Sequence, residues 1–230
     1  MRCSLILFLL FASSCYGADV TSVLKKVQEV YGSGNMSYST KYSLFKGHKS
    51  TVVHTSYEGE VYSYNKEIYQ KIGPSEFIYG SDYFLHVSHE EKAMILGSAQ
   101  QTMQQEVDLS QVLNECKSSE LVEQGEYYKL TFRMKQMSGV PCSVILVYVN
   151  KKDYTLHRMD LYYNYFEDYS EEFGEKDMHQ PHLKIEFTSM NLKPKERKDL
   201  FVRSNYLKEQ NSALTPTGAC LGYELIDQRN

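Results

Sequence analysis

The stretch Ile68-Tyr69-Gln70-Lys71-Ile72-Gly73-Pro74-Ser75-Glu76-Phe77-Ile78-Tyr79 decides the fold. Ile68, Gln70 and Ile72 recur every second residue up to Gly73-Pro74-Ser75, and Phe77 and Tyr79 repeat the period beyond it. A period of two on both sides of a Gly-Pro turn predicts two short antiparallel strands. The pattern then repeats. Tyr83, Leu85 and Val87 alternate with Phe84, His86 and Ser88, His89-Glu90-Glu91 makes a turn, and Met94 and Leu96 return. Short strands joined by tight turns predict an antiparallel meander.

Working outward, Met36, Tyr38, Thr40, Tyr42 and Leu44 predict an earlier strand, and Val53 to Tyr64 another, in which Gly59 is expected to mark a bulge. Before them, Val20, Val23, Leu24, Val27, Val30 and Tyr31 form one helical stripe. Asp19 or Thr21 caps its start, and Gly32 to Gly34 stop it. Downstream, Asp108-Leu109-Ser110-Gln111 reads as a helix N-terminus, with Val112, Leu113 and Cys116 completing a short helix. Strands then resume at Tyr128–Met134, Ser143–Val149, His157–Tyr165 and Leu183–Phe187. Ser143–Val149 is apolar on both faces and so is expected to be central or to line a cavity. Glu167 to Gln180 reads as a solvated acidic loop, and the tail near Thr215-Pro216-Thr217-Gly218 as irregular. The expected fold is mainly β: an incomplete antiparallel β-barrel, a strongly curved sheet, covered by the N-terminal helix and the short mid-chain helix.

The N-terminus predicts export. Arg2 is followed by the apolar run Leu5–Phe11 and then small residues up to Ala18-Asp19. That run is too short to span a bilayer, which takes about 20 residues, and no later segment does so. The expected organisation is a signal peptide over 1–17 and one β domain over 18–230, with a less regular C-terminal arm from about 191. The expected compartment is the periplasm, with Cys15, in Ala12-Ser13-Ser14-Cys15, a candidate for a lipid anchor. Removing Arg2 with the leader takes the formal charge from −4 to −5. No basic stripe remains, which argues against a nucleic-acid partner.

Little in the sequence points to catalysis. Gly-x-Ser-x-Gly is absent, and Cys142 at the start of an apolar strand is expected to be buried and inert. Glu167, Asp168, Glu171 and Glu172 crowd one loop and read as a solvated surface rather than an acid–base pair. His86 and His89 beside Glu90 and Glu91, and His179 and His182 around Pro181, could approach a metal. Both are read as solvated polar turns, so no metal or cofactor is expected. Cys116, Cys142 and Cys220 allow at most one internal disulfide. The chain holds 20 Tyr, 10 Phe and no Trp, rings that suit sheet faces or a ligand cavity.

Taken in order, the exported start, helix 19–31, strand Tyr38–Leu44, the run Ile68–Phe77, Asp82–Val87 and Lys92–Leu96 resemble periplasmic lipoprotein carriers of the LolA type, in the superfamily that includes the receptor LolB. The resemblance covers about residues 19–190. The carriers' early-strand arginine has no counterpart, since Lys41 and Lys46 are the basic residues there. The resemblance implies a half-barrel whose concave apolar face holds acyl chains, and hence a lipid or a lipidated protein as partner. The candidate cavity residues are Tyr42, Leu44, Val61, Ile68, Ile72, Phe77, Leu85, Met94, Leu130, Phe132, Val144, Leu146, Met159 and Leu161. Val23, Leu24, Val27 and Tyr31 are the candidates on the covering helix. The alternative expectation is an envelope protein-interaction module with a filled core.

Overall fold

The computed structural model describes residues 18–32, 34–98, 109–171, 174–210 and 213–229, without the side chains of 109–111 and 210. The leader with Cys15, the cap residue Asp108 and Glu172 lie outside the described residues. The chain opens with helix α1 (Val20–Tyr31). A first meander follows: β1 (Met36–Phe45), β2 (Thr55–Tyr64), β3 (Glu67–Ile72), β4 (Ser75–Tyr79), β5 (Tyr83–Ser88) and β6 (Ala93–Ser98). Helix α2 (Leu109–Glu115) leads into β7 (Cys116–Gln124), β8 (Tyr127–Met134), β9 (Cys142–Asn150) and β10 (Leu156–Tyr163). A small hairpin, β11 (Glu167–Asp168) and β12 (Met178–His179), precedes β13 (His182–Asn191). The C-terminal arm carries the hairpin β14 (Leu207–Gln210) and β15 (Ala213–Pro216), and then β16 (Glu224–Asp227).

Twelve strands make one curved, open sheet in the order β16-β6-β5-β4-β3-β2-β1-β13-β10-β9-β8-β7. All neighbours are antiparallel except β16, which lies parallel to β6. The two meanders are thus joined where β13 returns to pair with both β1 and β10. Local sequence fixes the turns. Asn65 and Lys66 both have positive φ, 51° and 71°, the mirror-image turn whose twist matches two antiparallel strands. Asp19 caps α1: its carboxylate accepts from the Ser22 amide at 2.8 Å, and the Ser22 hydroxyl accepts from the Asp19 amide at 3.2 Å.

Directly opposed residues share a face, and successive residues alternate. One cross-strand row runs Tyr62–Tyr69–Ile78–Leu85–Leu96. Another runs Leu130–Val147–Met159–Ile185–Tyr42–Tyr57. On β2 these rows pass through Tyr62 and Tyr57, five residues apart, so they lie on opposite faces. The sheet therefore has two cores on its two sides. On one side, Val23, Leu24 and Val27 of α1 pack with Leu130, Phe132, Ile145, Val147 and Val149, joined by Val112 and Leu113 of α2. On the other, the arm brings Leu207 and Cys220, with Phe201 and Tyr206, onto Ile78, Leu85, Met94 and Leu96.

Four expectations need correction. Gly59 is not a bulge, because β2 keeps an unbroken register with both β1 and β3. A Cβ there would sit 2.5 Å from the Thr40 hydroxyl and 2.8 Å from the Lys71 carbonyl, so glycine answers a close approach. Within 167–180, β11 and β12 pair as a hairpin where a plain loop was expected, tied down by a 3.2 Å ion pair from Lys46 to Asp177 and by His54 edge-on to Tyr169. The tail is ordered as a hairpin and an edge strand because its apolar residues cover the first meander. Cys116 begins β7, a polar edge strand with no alternation to announce it.

Candidate functional site

Among the described residues, no core covers the α1 side of β13 and β1–β6. It presents Leu183, Ile185 and Phe187 on β13, and Tyr38, Tyr42 and Leu44 on β1, with Val61 on β2. It continues through Ile68 and Ile72, Phe77 and Tyr79, Phe84 and His86, to Ile95 on β6. None of these residues belongs to either core, and all except Val61 are only partly buried. Behind β4–β6 the reverse face is sealed: Ile78, Leu85, Met94 and Leu96 are 0% exposed under the arm. A sheet with one face covered normally turns a polar face outward. Here the uncovered face carries no Asp, Glu, Lys or Arg on β13 or β1–β6. The charges, among them Lys41, Glu58, Glu60, Lys71, Glu76, Lys184 and Glu186, point to the other side.

Rings organise this surface. Phe77 stacks on His86 at 4.5 Å, Tyr79 meets Phe84 at 5.1 Å, and Tyr38 joins Phe187 at 5.7 Å to Tyr31 of α1 at 6.2 Å. Opposite Tyr38 the register shifts between Ser37 and Ser39, and Ser189 of β13 takes a positive φ of 54°. The extra residue bends β13 at the border between the covered and uncovered stretches. The Tyr31 hydroxyl accepts from the Leu156 amide at 3.1 Å. Burial pushes its pKa up to about 12 and raises those of Tyr38 and Tyr79 as well. Burial also lowers His86, favouring the neutral ring. The buried Thr40 hydroxyl and His86 Nε2 have no hydrogen-bond partner among the described residues. The whole face is uncharged at neutral pH, an environment suited to hydrocarbon.

Of the residues singled out from sequence, Tyr42, Leu44, Val61, Ile68, Ile72 and Phe77 lie on this uncovered face. Leu130 and Phe132 lie on the same side but are buried under α1, with Met159 and Leu161 packed against that core. Leu85 and Met94 point the other way, beneath the arm. Val144 and Leu146 also point away from α1 and line an open depression of about 330 Å³ with Glu120, Lys129 and Arg133. Val23, Leu24 and Val27 are buried, and Tyr31 sits at the border. The sequence reading left out Tyr38, Tyr79, Phe84, Ile95, Ile185 and Phe187. Pairing Tyr79 with Phe84 and Ile185 with Tyr42 across their ladders would have found them.

The polar candidates go separate ways. His89 bonds Glu76 at 2.9 Å and Tyr223 at 3.0 Å, remote in role from the stacked His86. His179 contacts Asp177 at the surface, while His182 is buried between Phe45 and Tyr162 with Asp160 at 3.3 Å. Among the described residues no three His, Cys, Asp or Glu side chains cluster to hold a metal. Cys116, Cys142 and Cys220 are free thiols, and burial raises Cys142 to about 11.

No family model and no curated protein matches the chain. Similar solved structures exist. One is an uncharacterized conserved protein from Thermus thermophilus, at 8% identity over 90% of this chain and 98% of that one, TM-score 0.49. Another is the LolA superfamily protein NE2245 from Nitrosomonas europaea. It is 12% identical over 82% of this chain and 99% of that one, TM-score 0.36. A third is the Mycobacterium tuberculosis lipoprotein LppX, at 13% identity over 76% and 96%, TM-score 0.38. These are likenesses of fold alone, and function rests on the chain's own geometry.

Proposed function

We propose that the chain is a non-enzymatic carrier or binder of an apolar ligand, a lipid or the acyl chains of a lipidated protein, working in an exported compartment, the periplasm. The observation that carries this reading is the uncharged face of β13 and β1–β6, claimed by neither core of the described residues, while its reverse is charged on β13, β1 and β2 and sealed by the arm on β4–β6. Each methylene moved onto such a surface contributes about 0.8 kcal/mol. A chain of about eight methylenes therefore supplies about 6 kcal/mol without any polar contact. The carrier-like strand order of the sequence agrees with this use.

The test is native mass spectrometry of the mature protein purified from its exported compartment, with solvent extraction of any adduct. A stoichiometric apolar adduct supports the reading. A clean apo mass, with no saturable uptake of a fluorescent fatty acid, overturns it. That outcome favours a second reading, an envelope protein-interaction module. One feature suits that role: β7 is an edge strand of nine residues, a template for strand addition.

A further inference from the structure

We infer that His86 makes the cargo face sensitive to pH: the face holds an apolar ligand while the ring is neutral and releases it when the ring takes up a proton. The inference rests on the proposed reading of that face as the ligand site, and adds its regulation.

His86 stands on the uncovered face itself. Directly opposed residues run Val61–Gln70–Phe77–His86–Ile95 from β2 to β6. The imidazole lies flat on Phe77, with 4.5 Å between centroids and 5° between planes. A phenyl ring would stack there as well, so packing alone does not require a histidine. Its Nε2 is buried and has no hydrogen-bond partner among the described residues. A buried polar atom left unpaired costs stability and needs a reason. Imidazole supplies one, because it ordinarily changes charge near about pH 6.5.

Nothing around the ring is placed to hold a positive charge. On β4 it meets Phe77, while Glu76 points to the other side and bonds His89 at 2.9 Å. On β6 it faces Ile95, whose neighbours on that face are Ala93 and Gly97. Its own strand adds Phe84 and Ser88. Further along the face, Gln70 is uncharged, and Tyr79 stays neutral because burial raises its pKa. The charged groups close by are Glu90, Glu91 and Lys92 in the β5–β6 turn, all exposed. Burial lowers the pKa of His86, and the Glu91 carboxylate only partly offsets that.

The direction of the effect follows from desolvation. A ligand laid over His86 removes water that still reaches the ring, which disfavours the charged form further. The pKa is then lower in the complex than in the free protein. Binding releases a proton wherever the free ring is charged, so affinity falls as pH falls. The fall is at most about tenfold for each pH unit below the pKa of the free protein, and affinity is flat above it.

The experiment is titration of the mature chain with a fluorescent monoacylglycerol, a probe uncharged across the range, at about pH 7.5 and about pH 4.5. The wild type should bind at least about fivefold more weakly at the lower pH and recover on return to the higher. His86→Phe keeps the stack and removes the titration, so its two affinities should agree within about twofold. His179→Gln, an exposed change on the β11–β12 hairpin, should keep the wild-type fall. A second measurement reads the ring directly. The protonation midpoint of His86, followed by NMR of its ring C–H signals, should move to lower pH when the probe is added. Equal wild-type affinity at both pH values, the same fall in His86→Phe, or a midpoint unmoved by the probe overturns the inference and leaves the binder reading intact. No binding by the wild type at the higher pH overturns that reading, and the inference with it.

Discussion

The two meanders of this sheet solve the same problem differently. Strands β7–β10 keep a half-polar outer face and bury their inner face beneath α1, as an ordinary two-layer domain does. Strands β4–β6 are largely apolar on both faces, and the arm covers one of them. Alternation thus means different things in the two halves. In β8, Leu130 and Phe132 alternate with Lys129, Thr131 and Arg133, and the apolar set is core. In β4 and β5, the alternation is of apolar with apolar, Ile78 against Phe77 and Leu85 against Phe84 and His86. One set is core and the other is surface. Only the position of the arm says which.

The strongest way to break the comparison is to remove the arm. Truncation after residue 191 uncovers Ile78, Leu85, Met94 and Leu96. At about 1.5–3 kcal/mol for each fully buried side chain, the loss rivals the whole stability of a typical domain, about 5–15 kcal/mol. The truncated chain should show no cooperative urea transition and should aggregate on size-exclusion chromatography. A soluble chain with an intact transition would show that the arm side is not a core.

Neighbouring residues on one strand sharpen it. Ile78→Ala should cost about 2–5 kcal/mol in urea unfolding, as a fully buried aliphatic does. Phe77→Ala, one residue away on the uncovered face, should cost no more than about 1.5 kcal/mol while weakening uptake of an acyl probe. Equal costs would mean that the two faces are equally filled.

Alkaline pH tests the tyrosines of both sides. Burial raises Tyr31 on the α1 side and Tyr206 on the arm to about 12, against an ordinary value of about 10. Between these values the unfolded chain releases protons that the folded chain keeps, so stability falls as pH rises. The contribution is intact below about pH 10 and is lost by about pH 12. Urea midpoints should fall from about pH 9 to about pH 11.5, in step with a delayed tyrosinate absorbance, and Tyr31→Phe should lessen the fall. The smallest effect is that of Asp19→Ala, about 1 kcal/mol from the lost N-cap. It should be read as faster hydrogen exchange in α1, with protection in β4–β6 unchanged.

Much of this was legible in the sequence. The period of two around Gly73-Pro74, the stripe from Val23 to Tyr31 and the capping Asp19 gave α1, the first meander and a curved sheet. Six residues of the uncovered face, from Tyr42 to Phe77, were also legible as apolar strand positions. Two elements were not. β7 is an edge strand, so Lys117, Ser118, Ser119 and Glu120 face water and carry no apolar period. The arm's strands are four residues long, too short to show one, and the core they complete lies far back along the chain in β5 and β6. Leu85 and Met94 could not be separated from Phe77 without knowing what lay over each face, which is tertiary information.

The measurement that tests the central claim most directly is titration of a fluorescent fatty acid against three folded proteins: wild type, Ile72→Asp and Val122→Asp. Ile72 lies on the uncovered face, whereas Val122 is an exposed residue of β7 on the opposite side. The account predicts saturable 1:1 binding by the wild type, at least a tenfold loss for Ile72→Asp, about 1.4 kcal/mol, and no change for Val122→Asp. Absent binding by the wild type, or equal binding by all three, would contradict it.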